Sequence, residues 1–131
     1  MNETVATLFA VAFGGALGSM LRFRLRFLTK NSKISMGSLP ANIIASFVLG
    51  LITALFADAF FAIEDWQAWF QPFLTVGFAG SLSTFSTLAL EMHENTKKRN
   101  WATTFGYAAF TFGAGLAFFG IGLYLGTSVP V

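Results

Sequence analysis

Four apolar blocks, each near 20 residues long, constrain the fold of this chain more than any other feature. They cover approximately residues 5–27, 39–63, 66–90 and 101–126. A hydrocarbon core about 30 Å thick is crossed by ~20 helical residues. Backbone polar groups in lipid must find their hydrogen bonds within the spanning structure, which favours helices. The sequence therefore predicts an all-α integral membrane protein with four transmembrane helices in a single domain, residues 1–131.

Composition excludes several other classes of protein. Only 11% of the residues are charged and 55% are hydrophobic, whereas soluble domains carry about 25% charged residues. The absence of cysteine rules out disulfides and thiolate metal sites. The basic residues do not alternate with aromatic ones as in a nucleic-acid groove, so we expect no nucleic-acid partner. With no Walker-type lysine motif either, we expect a membrane protein that is not an enzyme.

The basic residues fall in only two places, after the first block and after the third. They are Arg22, Arg24, Arg26, Lys30, Lys33, Lys97, Lys98 and Arg99. In a four-span protein these two segments lie on one side, which the positive-inside rule makes cytoplasmic. The charged residues of the loop on the other side are all acidic, so the eight basic residues are divided 8 to 0 between the two sides. We therefore predict a multi-pass protein of the cell membrane with both termini outside the cytoplasm.

Few ionisable groups are placed deep in the predicted spans. No acid falls at mid-membrane, where a proton-coupled carrier would need one. Arg22 is the best-placed embedded charge, either as a structural anchor whose head group reaches the interface or as part of an anion vestibule. Small residues are spaced for close helix contacts at Gly14 and Gly18, and again at Gly122 and Gly126.

Uncharged polar side chains form rows within two of the apolar blocks. Asn42 lies in the second block, with Ser38 one helical turn before it and Ser46 one turn after it on the same face. The amide either forms a hydrogen bond between helices or donates into a polar track. A similar row in the fourth block consists of Tyr107, Thr111 and Gly115.

The third block contains the densest polar cluster, in the sequence AGSLSTFSTLALE from residue 79 to residue 91. Its hydroxyl groups belong to Ser81, Ser83, Thr84, Ser86 and Thr87. Together with Gly77 and Gly80 they lower helix propensity and offer competing local hydrogen bonds. The sequence predicts a third helix broken near its middle, where freed carbonyl oxygens could bind a small hard cation. The alternative is hydroxyl-mediated helix contact.

These motifs together resemble those of the small fluoride channels, the Fluc or CrcB family. The stretch from Gly80 to Thr87, closed by Glu91, is similar to the family signature. The segment Gly14–Arg22 agrees in the first span, as does Gly37–Leu39 followed by Asn42 in the second. The resemblance covers all four spans in order.

The resemblance implies passive, fluoride-selective efflux through an antiparallel, inverted dimer with lipid around it. It also implies a structural sodium ion at the centre of the dimer, held by the main-chain carbonyls of Gly80 and Ser83. An anion pathway would run along the subunit interface, with Arg22 in a vestibule. The pathway residues would be Phe85, Asn42, Ser38, Ser86, Tyr107 and Thr111.

Two departures from the family pattern affect these expectations. Leu88 occupies the position of the family's second phenylalanine, so one aromatic side chain is missing. The strong charge bias also disfavours insertion of one chain in both orientations. We favour slightly a heterodimer with a paralogue whose basic residues lie on the opposite side. A conducting homodimer is the competing interpretation.

Two other functions fit four small apolar spans. A proton-coupled multidrug exporter would need an embedded carboxylate in the first span, where Glu3 is too close to the terminus. A non-transporting assembly subunit would account for the glycine faces. It would leave the hydroxyl cluster and Asn42 without a role.

Overall fold

The computed structural model describes residues 2–31, 36–57 and 70–128 of the chain. Within these ranges all regular secondary structure is helical, as the composition predicted. The helices are α1, Glu3–Leu25; α2, Leu39–Ala57; α3, residues 70–82; α4, Phe85–Lys98; and α5, Trp101–Thr127. A short 3₁₀ helix, Arg26–Thr29, extends α1. The parts of the predicted second and third spans at 58–63 and 66–69 lie outside the described residues.

Three of the described stretches are long and apolar enough to cross a membrane, judged by length and composition. They are Thr4–Thr29, Phe70–Lys98 and Trp101–Thr127. The fourth apolar segment, within α2, is shorter at Leu39–Leu55. Large apolar side chains cover the outer surface, including Leu8, Phe9, Phe112, Leu116 and Ile121. An exposed apolar surface of this extent requires lipid or another protein around it.

The third apolar segment contains the predicted break. A π-helical segment, Phe73–Ala79, continues into one α-helical turn, Gly80–Leu82, and the helix then stops. Ser83 is extended, with φ −75° and ψ 154°, and Thr84 is extended with φ −153° and ψ 125°. α4 starts at Phe85 with Thr84 as its N-cap, so two extended residues separate two helices within one apolar segment.

Close helix contacts depend on the glycines that the sequence singled out. A Cβ at Gly14 would overlap the carbonyl oxygen of Phe73, and one at Gly18 would overlap that of Phe78, so α1 and α3 meet backbone to backbone. A Cβ at Gly122 would likewise overlap the carbonyl oxygen of Phe47. The predicted small-residue faces are therefore confirmed as helix contacts.

α2 and α5 pack in parallel with a constant register. The hydroxyls of Ser38 and Tyr107, which are 69 residues apart, lie 3.3 Å from each other. Two further close pairs keep the same offset: Ser46 with Gly115, and Gly50 with Phe119. The polar rows predicted in these two helices therefore lie side by side.

Candidate functional site

The helix break is held by the side chain of Asn42 on α2. The backbone N–H of Thr84 donates to Asn42 Oδ1 at 2.7 Å, and Asn42 Nδ2 donates to the carbonyl of Thr84 at 3.2 Å. These two bonds satisfy a backbone donor and a backbone acceptor that the break removes from the helical ladder. Asn42 therefore does form a hydrogen bond between helices, one of the two alternatives considered for it.

Two carbonyls at the break lose their usual helical donors. In an unbroken helix the N–H of Thr84 would bond to the carbonyl of Gly80, but it donates to Asn42 instead. The N–H of Thr87 would bond to the carbonyl of Ser83, but it donates to Thr84 Oγ1 at 3.3 Å. The carbonyl of Gly80 accepts a bond from Ser83 Oγ at 3.3 Å.

A small cavity of about 150 Å³ lies beside the break. Thr75, Gly80, Ser83 and Ser46 supply its polar lining, together with Ala45, Leu49 and Ala79. The described residues contain no group of three or more His, Cys, Asp or Glu side chains able to hold a metal. Any cation bound here would depend on neutral oxygen atoms, which suit a hard ion of low charge.

A buried carboxylate connects three helical segments at one end of the predicted pathway. Glu91 on α4 is buried and accepts two hydrogen bonds from Ser38, from its N–H and its Oγ, each at 2.7 Å. It accepts a third from the Tyr107 hydroxyl at 2.5 Å. Donors from α2 and α5 surround the carboxylate, as burial of a charged group requires.

Glu91 explains the placement of two predicted pathway residues. Ser38 and Tyr107 are only 2% and 3% exposed, and their hydroxyls bond to the carboxylate and approach each other at 3.3 Å. Sequence reasoning placed Glu91 at the end of the signature but gave it no role. Its role becomes visible only through its contacts with Ser38, directly before α2, and with Tyr107 on α5.

An open groove of about 490 Å³ brings together most of the other predicted residues. Asn42, Thr84, Phe85, Leu88 and Thr111 line it. Phe85 is 72% exposed, so its ring stands at the surface of this chain. Thr111 is buried, and its Oγ1 has no hydrogen-bond partner among the described residues. A buried hydroxyl without a partner costs about 1–3 kcal/mol, and such groups are uncommon in native structures.

Leu88 both packs in the core and lines the groove. It is 3% exposed and packs in a small core cluster with Leu39 and Tyr107, while also lining the groove. The position expected to hold an aromatic ring is therefore filled by a well-packed aliphatic side chain.

A second cavity, of about 500 Å³, adjoins the groove at Thr84, which lines both. Arg22, predicted for a vestibule, lines this cavity together with Arg26, Glu91 and Glu94. The remaining lining residues are Ser19, Phe23, Gly37, Ser38, Thr87 and Leu90. The cavity therefore carries charges of both signs, whereas the groove side chains are all neutral.

Ser86, the last predicted pathway residue, is exposed on α4. Its Oγ lies 3.3 Å from Thr84 Oγ1, and Thr84 Oγ1 also lies 3.2 Å from Thr87 Oγ1. The hydroxyl cluster thus centres on Thr84, whose importance the sequence did not separate from that of its neighbours.

Comparison with known proteins identifies the family of this chain. The family described as CrcB-like protein, Camphor Resistance (CrcB), matches residues 9–123. The chain is 35% identical over 116 residues to Fluoride-specific ion channel FluC 1 of Staphylococcus aureus (strain NCTC 8325 / PS 47), covering 88% of this chain and 93% of that protein. It is 32% identical over 114 residues to Fluoride-specific ion channel FluC of Bordetella pertussis (strain Tohama I / ATCC BAA-589 / NCTC 13251), covering 87% and 86%. The chain therefore belongs to the CrcB-like protein family.

Proposed function

We propose that this multi-pass membrane protein is a subunit of a fluoride-specific ion channel that lets fluoride leave the cytoplasm passively. Its family relatives carry the name of such channels. The observation that carries the proposal for these residues is the unpartnered Thr111 hydroxyl, which lines a groove with Asn42 and Phe85. An anion passing along the groove would supply the acceptor that this hydroxyl lacks.

The groove offers the kinds of contact that a small hydrated anion needs. Thr111 provides an O–H donor. Asn42 Nδ2 carries two hydrogens, and its bond to Thr84 uses one of them, which leaves a second donor for an anion. The ring edge of Phe85 carries partial positive charge and adds attraction without a net charge. Neutral donors hold an ion weakly enough for it to leave again, as conduction requires.

Fluoride would reach the groove from the charged cavity. Arg22 and Arg26 bring positive charge to that cavity, which Glu91 and Glu94 also line, and Thr84 lies where the cavity and the groove meet. The carboxylate of Glu91 faces Ser38 and Tyr107, whose donors offset its charge. Arg22 therefore has the role of attracting the anion, and Glu91 that of holding three helices together.

A sodium ion at the helix break is part of the proposal. The helical donors of the Gly80 and Ser83 carbonyls bond elsewhere, and both residues line the adjoining cavity, whose polar lining is neutral. Main-chain carbonyls pointing at a shared axis would hold a monovalent hard cation without a carboxylate. The ion would join two copies of the break at the centre of a dimer.

The second subunit would be inverted and would cover the groove, where Phe85 is exposed. With basic residues confined to one side of the predicted topology, this chain inserts with both termini outside the cytoplasm. We favour as its partner an oppositely biased paralogue over a second copy of this chain. Leu88 would then leave fewer aromatic side chains in the pathways to which this chain contributes.

Fluoride release from liposomes tests the function. The purified chain is reconstituted alone and with a candidate paralogue, and a fluoride electrode records release after the membrane potential is collapsed with an ionophore. We expect fluoride release without chloride release, and loss of release in Phe85→Ile. Proton-coupled export of organic cations would instead support the exporter function, and absence of any flux in both preparations would support an assembly subunit.

The dimer test is separate from the flux test. Single-cysteine labelling from either side of the membrane reports the orientation of each copy, and cross-linking reports the partner. We expect this chain to label in one orientation only. Equal labelling from both sides, together with rapid flux from the chain alone, would overturn the paralogue proposal and leave the channel function intact.

A further inference from the structure

The polar rows of α2 and α5 run in register, so their residues form pairs at successive levels, each one helical turn from the next. At the first level Ser38 faces Tyr107, and both hydroxyls bond to Glu91. One turn further, Asn42 and Thr111 both line the groove. The next level pairs Ser46 with Gly115, which has no side chain to offer. The α5 row of donors therefore ends one turn before the α2 row.

Gly115 leaves room for the hydroxyl of Ser46. A Cβ built at Gly115 would lie 3.3 Å from Ser46 Oγ, closer than most real contacts of this kind. Ser46 and Gly115 both line the groove with Thr111. The space that an α5 side chain would occupy at this level is thus filled by a hydroxyl from α2.

The level beyond Ser46 has no polar side chain. There Gly50 packs against the backbone of Phe119, and neither residue carries a side-chain donor. Leu49, Leu116 and Phe119 make up the apolar lining around Ser46. Among the α2 residues that line the groove, Ser46 is therefore the last hydroxyl on the side away from Glu91. Ser83 also lines the groove, but its hydroxyl donates to the carbonyl of Gly80.

We propose that Ser46 is a further anion-contacting residue, which donates its hydroxyl to fluoride at the end of the groove away from the charged cavity. This inference rests on the proposed function and extends it to a residue outside the signature. An ion that leaves Asn42 and Thr111 would otherwise meet an apolar stretch and lose its donors at once. Ser46 Oγ, one turn further along α2, supplies the next donor.

Exchange of the hydroxyl between the two helices tests the proposal. Ser46→Ala removes the donor, and we expect fluoride release from liposomes to slow about five- to tenfold, as for the loss of one neutral hydrogen bond. Adding Gly115→Ser to Ser46→Ala returns a hydroxyl to the same space from α5, and release recovers. Adding Gly115→Ala instead fills the space without a hydroxyl, and release stays slow.

Three results would overturn the role of Ser46. Unchanged release in Ser46→Ala would show that the hydroxyl is not used, and the channel function would stand. Equal recovery in the two double variants would show a packing role. Ser46 also lines the cavity at the break. If Ser46→Ala needed more sodium for fluoride release but reached the unaltered release rate at saturating sodium, the hydroxyl would belong to the cation site. If the unaltered chain, alone and with its partner, released no fluoride, the proposed function itself would fail.

Discussion

Asn42 and Thr84 are joined by two hydrogen bonds, in which the amide of one accepts from and donates to the backbone of the other. The pair ties α2 to the break in the third apolar segment. Since Asn42 also lines the groove, one side chain both fixes the broken backbone and faces the proposed pathway. The geometry of the break and the position of the donors in the groove are therefore coupled.

Substitution of Asn42 by Asp tests this coupling. The shape is kept and an oxygen can still accept from Thr84 N–H, but a second carboxylate oxygen then faces the Thr84 carbonyl and the groove. We expect loss of fluoride release and a lower melting temperature in detergent, because a donor is replaced by negative charge. Thr53→Val is the control, since the Thr53 hydroxyl donates to the Leu49 carbonyl within α2. Release at the unaltered rate in Asn42→Asp would contradict the coupling.

Glu91 is expected to matter for stability through its three hydrogen bonds. Glu91→Ala leaves the N–H and hydroxyl of Ser38 and the hydroxyl of Tyr107 without their acceptor. Each buried group left without a partner costs about 1–3 kcal/mol, so the melting temperature should fall sharply. Glu91→Gln keeps one oxygen acceptor and adds an N–H that either hydroxyl can accept, so its melting temperature should fall less. Melting temperatures of both variants equal to that of the unaltered chain would show that the network does not stabilise the fold.

The sequence predicted the helical class and the broken third helix because both follow from local composition. Apolar length identifies spanning helices, and clustered glycines and hydroxyls weaken one of them. The partners of Glu91 could not be predicted in this way, since Ser38 is 53 residues away in the chain. Which helix faces which, and in what register, is decided by side-chain packing between segments that no single-sequence pattern relates.

Leu88 illustrates the same limit. Comparison with the family pattern identified it as a missing ring, which is a statement about residue type. Its burial against Leu39 and Tyr107 depends on tertiary packing and was not predicted.

The glycine contacts give a prediction with an internal control. Gly122→Ala places a methyl group against the backbone of α2, at the carbonyl of Phe47. Backbone atoms cannot move aside as a side chain can, so we expect α2 and α5 to separate and the melting temperature to fall. A Cβ at Gly120, two residues earlier, would meet no atom of the described residues within 4 Å. Gly120→Ala should be neutral or stabilising by up to about 1 kcal/mol, because alanine favours the helix. Similar melting temperatures for both variants would contradict the packing.

Leu88→Phe tests whether the missing aromatic ring limits conduction. Leu88 is almost fully buried against Leu39 and Tyr107, so the larger ring must displace neighbours or turn toward the groove. Overpacking costs about 1–3 kcal/mol, and we expect a lower melting temperature. The ring would also add an aromatic edge close to Phe85 in the groove, which attracts an anion, so fluoride release should rise despite the lost stability. Leu88→Met, which keeps the volume without a ring, should change neither. If release stayed unchanged or fell in Leu88→Phe while the protein remained folded, Leu88 would not be what limits conduction by this chain.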